Sequence, residues 1–527
     1  MTNRIRWTLT ISGGILAGIP WWGAYWPFLL ICFVPLLLVE DDLRNNGEGS
    51  LSILPFSFVF FLVWNIIVAW WMARIHLVGG ISVIIINAAL MSLVFLLYAV
   101  IKKNTGRGVV IFIILWTAFE YLHHRGDLSW PWLSLGNGLA GDVRIIQWYE
   151  FTGMPGGSVW VLISNGFIYA LIRRYLDNLS SPGLHMHIAL LTGILVFPPA
   201  VSLYVFNSYE DLDDKAKFLI VQPMVDPYGD KFSGKSNSQK LDQILNMAER
   251  NIEEEVDFII TPETSVDSIW VNHPGDSLIS QIKEFTARHP GAVLVMGATS
   301  FSYVDRSENA VTARMDDRGA YFEVRNSALY FASGSYLGAY HKHYLANGVE
   351  QIPFQRYIRF MERFSVDLGG VSGSLKPGEG PEVFRSPLKD NLIIGTLICF
   401  ESSYGEYAAS MAEEGAEIII VISNDGWFKN TGAYMQHLRL SLIRAVETRR
   451  DIVRAANTGI SCHISGRGEI IEKTGWWEES SLMVHPARNK SKTLYTRSGN
   501  YLGRTAIFFS LLLLLDLIVR RYVSWNR

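Results

Sequence analysis

Apolar residues in this chain fall into blocks. They run from Trp7 to Trp22, Trp26 to Val39, Leu51 to Ala73, Gly79 to Ile101, Gly108 to Leu122, Ser158 to Ile172 and His187 to Phe206, with one more at Thr505 to Val519. A helix needs about 20 apolar residues to cross a bilayer, with about 17 near the lower limit. The blocks are read as eight spans, seven in residues 1–206 and one in 504–527. Buried core helices would explain the 14-to-16-residue blocks singly, but not their crowding before residue 207. The start is read as a first span, not a cleaved leader. No small-residue cleavage site follows Met1–Trp22, and further spans come at once.

Basic residues in the short loops set the orientation. Arg4 and Arg6 precede the first span. Lys102, Lys103 and Arg107 follow the fourth, Arg173 and Arg174 the sixth, and Arg520 and Arg521 the eighth. With eight spans all four clusters share one side, expected to be cytoplasmic. Residues 207–503 then lie outside.

That long segment has a different pattern. Short β-branched runs predict strands at Lys217–Gln222, Asp257–Thr261, Ala292–Gly297, Ser327–Phe331, Leu392–Leu397, Glu417–Ile422 and Ile452–Ala456. Amphipathic periodicity predicts helices at Asn237–Glu255, Ser277–His289, Tyr404–Glu414 and Gln436–Arg449. Such alternation predicts α/β layers. Gly369–Gly380, with five glycines and Pro377, reads as a loop.

Composition fits a membrane protein. Of 527 residues, 49% are hydrophobic and 18% charged, and mean hydropathy is +0.20. A net charge of -3 offers nothing to a nucleic acid. Cys32, Cys399 and Cys462 make neither a disulfide framework nor a metal signature. Cys462 reads as a structural residue in a strand. No metal or other cofactor is expected.

Three residues in the outer segment end predicted strands, where α/β folds place their sites. Glu263 follows Asp257-Phe-Ile-Ile-Thr-Pro. An apolar wall there is expected to raise its pKa toward that of a general base. Lys342 stands in Tyr340-His-Lys-His, and a lysine can hold a thiolate or an oxyanion. Cys399 ends Ile393-Ile-Gly-Thr-Leu-Ile and leads into a helix, whose N-terminal N–H groups are expected to lower the thiol pKa. Taken singly, Glu263 reads rather as a capping or solvated carboxylate and Lys342 as an exposed strand lysine, and Cys399 reads as a nucleophile or a core thiol.

Their order and contexts resemble the nitrilase, or carbon–nitrogen hydrolase, superfamily. So do the later runs Ser423-Asn-Asp-Gly-Trp-Phe428, Gln436-His437, Arg444-Ala-Val-Glu447 and Arg454-Ala-Ala-Asn-Thr-Gly-Ile460. The resemblance implies a four-layer α-β-β-α sandwich. Its membrane-embedded branch, apolipoprotein N-acyltransferase, is similar over nearly the whole chain: it has eight spans and carries the sandwich before the last. Trp116, Glu120, Arg125 and Trp130-Pro-Trp132 resemble that branch around the fifth span. The resemblance implies Glu263 as general base, Lys342 as oxyanion stabiliser and Cys399 as nucleophile, supported by Glu350 and Glu401. Two stretches depart from it. The family's usual His-Leu-Val-Pro-Phe-Gly-Glu reads Tyr344-Leu-Ala-Asn-Gly-Val-Glu350 here. A tryptophan usual after the domain's first strand is absent, with Tyr228 and Phe232 the nearest aromatics.

The resemblance further implies a ping-pong reaction. Cys399 takes an acyl chain from a phospholipid and passes it to the α-amine of a diacylglyceryl-cysteine at a lipoprotein N-terminus. Tyr228, Phe232, Trp130, Trp132 and Trp427 are the substrate-binding candidates. Tyr357–Phe364 is read either as an apolar lid or as plain core. Glu120 is expected to meet a headgroup or Arg125, and Asp516 to bond within the bundle. The expected setting is a monomer in the bacterial inner membrane, with the catalytic domain on the periplasmic side. Two alternatives use the same residues differently: a membrane-anchored amidase, and an inactive lipoprotein-binding protein.

Overall fold

The computed structural model describes residues 1–105, 108–176, 184–210, 212–228, 236–252, 255–273, 275–305, 312–351 and 374–525. The chain divides into two units, Met1–Tyr209 with Ser498–Arg527, and Glu210–Arg497.

The first unit is helical. Its longer helices are Asn3–Gly18, Val34–Asn45, Leu54–Ala69, Leu77–Thr105, Val110–His123, Met154–Leu176, Leu184–Asn207 and Tyr501–Trp525. Among the described residues five stretches are long and apolar enough to cross a membrane: Ser50–Ala69, Leu77–Thr105, Met154–Leu176, Leu184–Asn207 and Tyr501–Val523. The unit is glued by aromatic packing around Phe33, Phe61, Trp64, Phe112 and Trp116. Glycines set the closest helix approach. A Cβ on Gly14 would lie 2.6 Å from the Phe60 carbonyl oxygen.

The block expected as one span over Trp26–Val39 is broken. A 3-10 turn covers Trp26–Leu30, and the helix begins only at Val34. Asn165 stabilises the break. It accepts the Phe33 N–H at 2.7 Å and donates to the Leu29 carbonyl at 2.7 Å. The helix then runs on past Val39 into Glu40-Asp41-Asp42. Glu40 pairs with Lys102, and Asp41 with Arg44. Asp41 also meets Arg173 at 2.7 Å, and Asp42 meets Arg6 at 2.7 Å and the N-terminal amine at 2.7 Å.

Two acids on apolar helices find their own partners. Glu120 accepts from the Trp116 indole at 3.0 Å and the Leu135 N–H at 2.8 Å. Its expected partner Arg125 instead donates to the Tyr121 carbonyl at 2.8 Å and stacks 3.6 Å over the Tyr121 ring. Asp516 pairs with Arg520, one turn along its own helix, at 2.9 Å.

The second unit is built on alternation. In strand β1 (Phe218–Gln222), Leu219 and Val221 face one side while Phe218 and Ile220 face the other. The first side packs against the helices Asn237–Asn251 and Ser277–Arg288. The second side packs against a second sheet. That sheet packs in turn on the helices Gly405–Glu413 and Ala433–Thr448. The result is the α-β-β-α sandwich that the resemblance implies.

The remaining strands are β2 (Phe258–Ile260), β3 (Val266–Trp270), β4 (Val293–Val304), β5 (Arg314–Met315), β6 (Tyr321–Ala332), β7 (Ser335–His341), β8 (Val383–Arg385), β9 (Ile393–Ile398), β10 (Ile418–Ser423), β11 (Asp451–Ala456), β12 (Cys462–Ile464), β13 (Ile470–Lys473) and β14 (Ser480–Val484). The first sheet has the order β14-β1-β2-β4-β6-β5, with β3 on β4 and β7 on β6. The second has the order β13-β12-β11-β10-β9-β8. In each, a parallel trio forms the middle: β1, β2 and β4, then β9, β10 and β11. Cys462 sits buried in β12.

Candidate active site

Glu263, Lys342 and Cys399 come from three strand ends in two sheets. Glu263 lies just past β2, Lys342 directly follows β7, and Cys399 directly follows β9. The Glu263 turn crosses β4 so closely that position 297 must be glycine. A Cβ there would lie 1.9 Å from the Pro262 carbonyl oxygen.

The Lys342 ammonium lies 2.9 Å from Glu263 Oε1 and 2.8 Å from Glu350 Oε2. The loop from Tyr344 turns back to bring Glu350 there, and the carboxylate accepts the Ala346 N–H at 2.8 Å. The altered sequence of that loop still delivers its carboxylate to the lysine. Asn326, which sequence reasoning missed, joins both acids. Its amide donates to Glu263 at 2.7 Å and to Glu350 at 2.6 Å. Cross-strand register was the available signal. Ser327 pairs with His341, so Asn326 faces Lys342. The other Glu263 oxygen accepts the Asn424 N–H at 3.0 Å.

These contacts reverse two expectations. Burial alone would raise the Glu263 carboxyl, but Lys342 and Asn326 outweigh it and hold it below the usual carboxylate range. Burial also opposes the Lys342 charge, yet Glu263 and Glu350 hold its pKa well above the usual value. The Cys399 thiol is pushed up, not down, by burial and then by the Glu263 carboxylate. A five-residue 3-10 turn, Cys399–Ser403, separates it from the helix at Gly405. The resting arrangement is therefore a neutral thiol close to an ionised carboxylate and an ammonium. That arrangement suits a nucleophile whose proton leaves during attack.

Glu401 lies behind the site. Its carboxyl accepts the N–H groups of Ile398 at 2.7 Å, His343 at 2.7 Å and Tyr344 at 3.2 Å, and the Tyr340 hydroxyl at 2.8 Å. It thus ties the chain past Lys342 to the chain before Cys399. Burial raises its pKa to about 7.

Of the substrate-binding candidates, Tyr228 and Trp427 meet. The Tyr228 hydroxyl donates to the Trp427 carbonyl at 3.0 Å, and the rings lie 5.2 Å apart. Asn457 links them to the site. It brackets Val225 and donates to the Asn424 side chain at 3.2 Å. Trp130 and Trp132 belong to the helical unit, stacked at 5.9 Å, with Trp132 buried against Trp71. Phe232 and the expected lid Tyr357–Phe364 lie outside the described residues. Among the described residues no His, Cys, Asp or Glu cluster is arranged to hold a metal ion.

Two family models match the chain in succession. Residues 13–167 match the apolipoprotein N-acyltransferase N-terminal domain, and residues 232–492 match carbon–nitrogen hydrolase. The chain belongs to the apolipoprotein N-acyltransferase family. Relatives of that name extend end to end. The Chlorobaculum tepidum protein is 25% identical, covering 97% of this chain and 96% of its own length. The Geobacter metallireducens protein is 24% identical, covering 90% and 88%. A solved Saccharomyces cerevisiae member of the nitrilase superfamily is 16% identical with a TM-score of 0.38, covering 56% of this chain and 96% of that one. Within the family match, Glu263, Lys342 and Cys399 fall in the carbon–nitrogen hydrolase segment, and Trp130 and Trp132 in the N-terminal one.

Proposed function

We propose that this enzyme moves an acyl chain from a phospholipid to the α-amine of an N-terminal diacylglyceryl-cysteine, through a thioester on Cys399. One observation carries the reading. A helical segment matching the acyltransferase N-terminal domain accompanies a sandwich in which a cysteine, a carboxylate and an ammonium converge.

Glu263 takes the thiol proton as sulfur bonds to the ester carbonyl carbon. Lys342 and the N–H after Cys399 hold the oxyanion. The ester C–O bond breaks, and the lysophospholipid oxygen leaves with the proton from Glu263. The lipopeptide amine then attacks the thioester, Glu263 takes a proton from nitrogen, and the sulfur leaves and is reprotonated. Glu350 and Asn326 keep Lys342 and Glu263 aligned through both steps. Tyr228 and Trp427 offer an apolar edge for acyl chains. Trp130 and Trp132 are the substrate-binding candidates of the helical unit.

Both substrates are lipid-anchored, which accounts for a membrane unit. The proposed topology has eight spans, with the four basic clusters cytoplasmic and the sandwich periplasmic. The protein acts as a monomer in the bacterial inner membrane.

The test uses the full chain in detergent. Incubation with a defined phospholipid alone should add one acyl mass at Cys399, seen by intact-mass spectrometry. Addition of a diacylated lipopeptide should then remove it and yield the amide. Cys399→Ala should fold and show no adduct. Full transfer by that variant overturns the thioester route, and release of free fatty acid without amide supports the amidase reading.

A further inference from the structure

Cys399 has φ of +52°, in the left-handed region that residues with a side chain rarely adopt. Something must hold it there, and the geometry lies directly behind it. The Cys399 carbonyl oxygen accepts from Ser402 Oγ at 2.8 Å and faces His437 Nε2 at 3.0 Å. A carbonyl only accepts, so Nε2 carries the proton. The other ring nitrogen lies 2.9 Å from Asp425 Oδ1 and 3.1 Å from Arg454 Nη2. Asp425 and Arg454 are paired at 2.7 Å, and Asp425 also accepts from Ser423 Oγ at 2.7 Å. All three large side chains are buried.

We propose that His437, braced by Asp425 and Arg454, is a positioning residue that fixes the Cys399 carbonyl and thereby aims the next N–H at the developing oxyanion. The link is the trans peptide plane. Its C=O and N–H point in opposite directions, so a carbonyl held inward sends the Phe400 N–H outward. Asp425 and Arg454 neutralise each other and keep the imidazole from rotating. The helix Ala433–Thr448, which carries His437, is thus a fixed arm behind the nucleophile. This role rests on the proposed acylation of Cys399.

Two variants share the loss of the ring but differ in where they place an N–H. Gln at 437 puts its amide near the Nε2 position, and Asn near Nδ1. In the full-length protein, His437→Gln should acylate within a fewfold of the parent. His437→Asn should lose about 10²-fold, the scale of one misplaced oxyanion donor. The readouts are adduct formation from phospholipid and burst release from p-nitrophenyl butyrate, which acylates a thiol through the same oxyanion. Alkylation by iodoacetamide forms no oxyanion and should stay within twofold in both variants. Equal acylation by the two variants overturns the proposal, as does an alkylation loss matching the acylation loss. A parent that reacts with the ester but gains no adduct from phospholipid refutes the thioester donor reading alone. The ester burst still decides the role of His437 in that case.

Discussion

Glu263 and Lys342 hold each other charged, and that pairing explains why neither pKa follows from its own strand. The run Phe258-Ile-Ile-Thr-Pro announces an apolar wall, which raises a carboxyl. The sequence does not show that Lys342, Asn326 and the Asn424 N–H close on the same carboxylate from distant positions. Glu401 is the opposite case. Its three N–H partners are neutral, so burial prevails and its pKa rises to about 7. The usual unfolded value is near 4.3. A raised carboxyl favours the folded protein while protonated, so the stabilisation is full below the unfolded value. It is lost as pH rises through about 7, by about 4 kcal/mol for this group. Thermal unfolding at pH 5 and pH 8 should show a smaller drop for Glu401→Gln than for the parent. An unchanged drop places the titration elsewhere. That Glu263, Lys342 and Cys399 come together was legible from order and strand ends, whereas Asn326 was legible only through register.

At the scale of elements, the central strands were readable because both faces are buried. β10 and β11 are buried at every position, so their β-branched runs stand out. The strands that went unread are half-exposed or edge pieces. β7 is exposed or partly buried at every position but Tyr340 and holds Gly338, and β13 is mostly exposed. β3 and β14 are likewise only partly buried. One element contact governs the site directly, the crossing of the Glu263 turn over β4 at Gly297. Gly297→Ala should displace Glu263, the proposed base, and cut acylation by about 10²-fold, with a stability loss of about 1–3 kcal/mol. Single-turnover acylation and thermal unfolding of the same preparation check the two effects. Acylation at the parent rate would mean that the turn moves aside without cost.

At the scale of the molecule, the apolar blocks located the helices, but hydropathy could not show the break at Ile31–Phe33. That break depends on a distant asparagine, Asn165. The proposed orientation is testable with fusions after Arg527. Green fluorescent protein there should fluoresce, and alkaline phosphatase should be inactive. The reverse pair of results would turn the topology over. The acidic run Glu40-Asp41-Asp42 adds a consequence for biogenesis. Arg6, Lys102 and Arg173 each end on it in the folded unit, and these same residues belong to the clusters that the proposed topology makes cytoplasmic. In that topology, the charges that set direction during insertion are neutralised once the helices assemble. A charge reversal at any of the three strikes twice, first at the choice of orientation and later at the closure of the bundle.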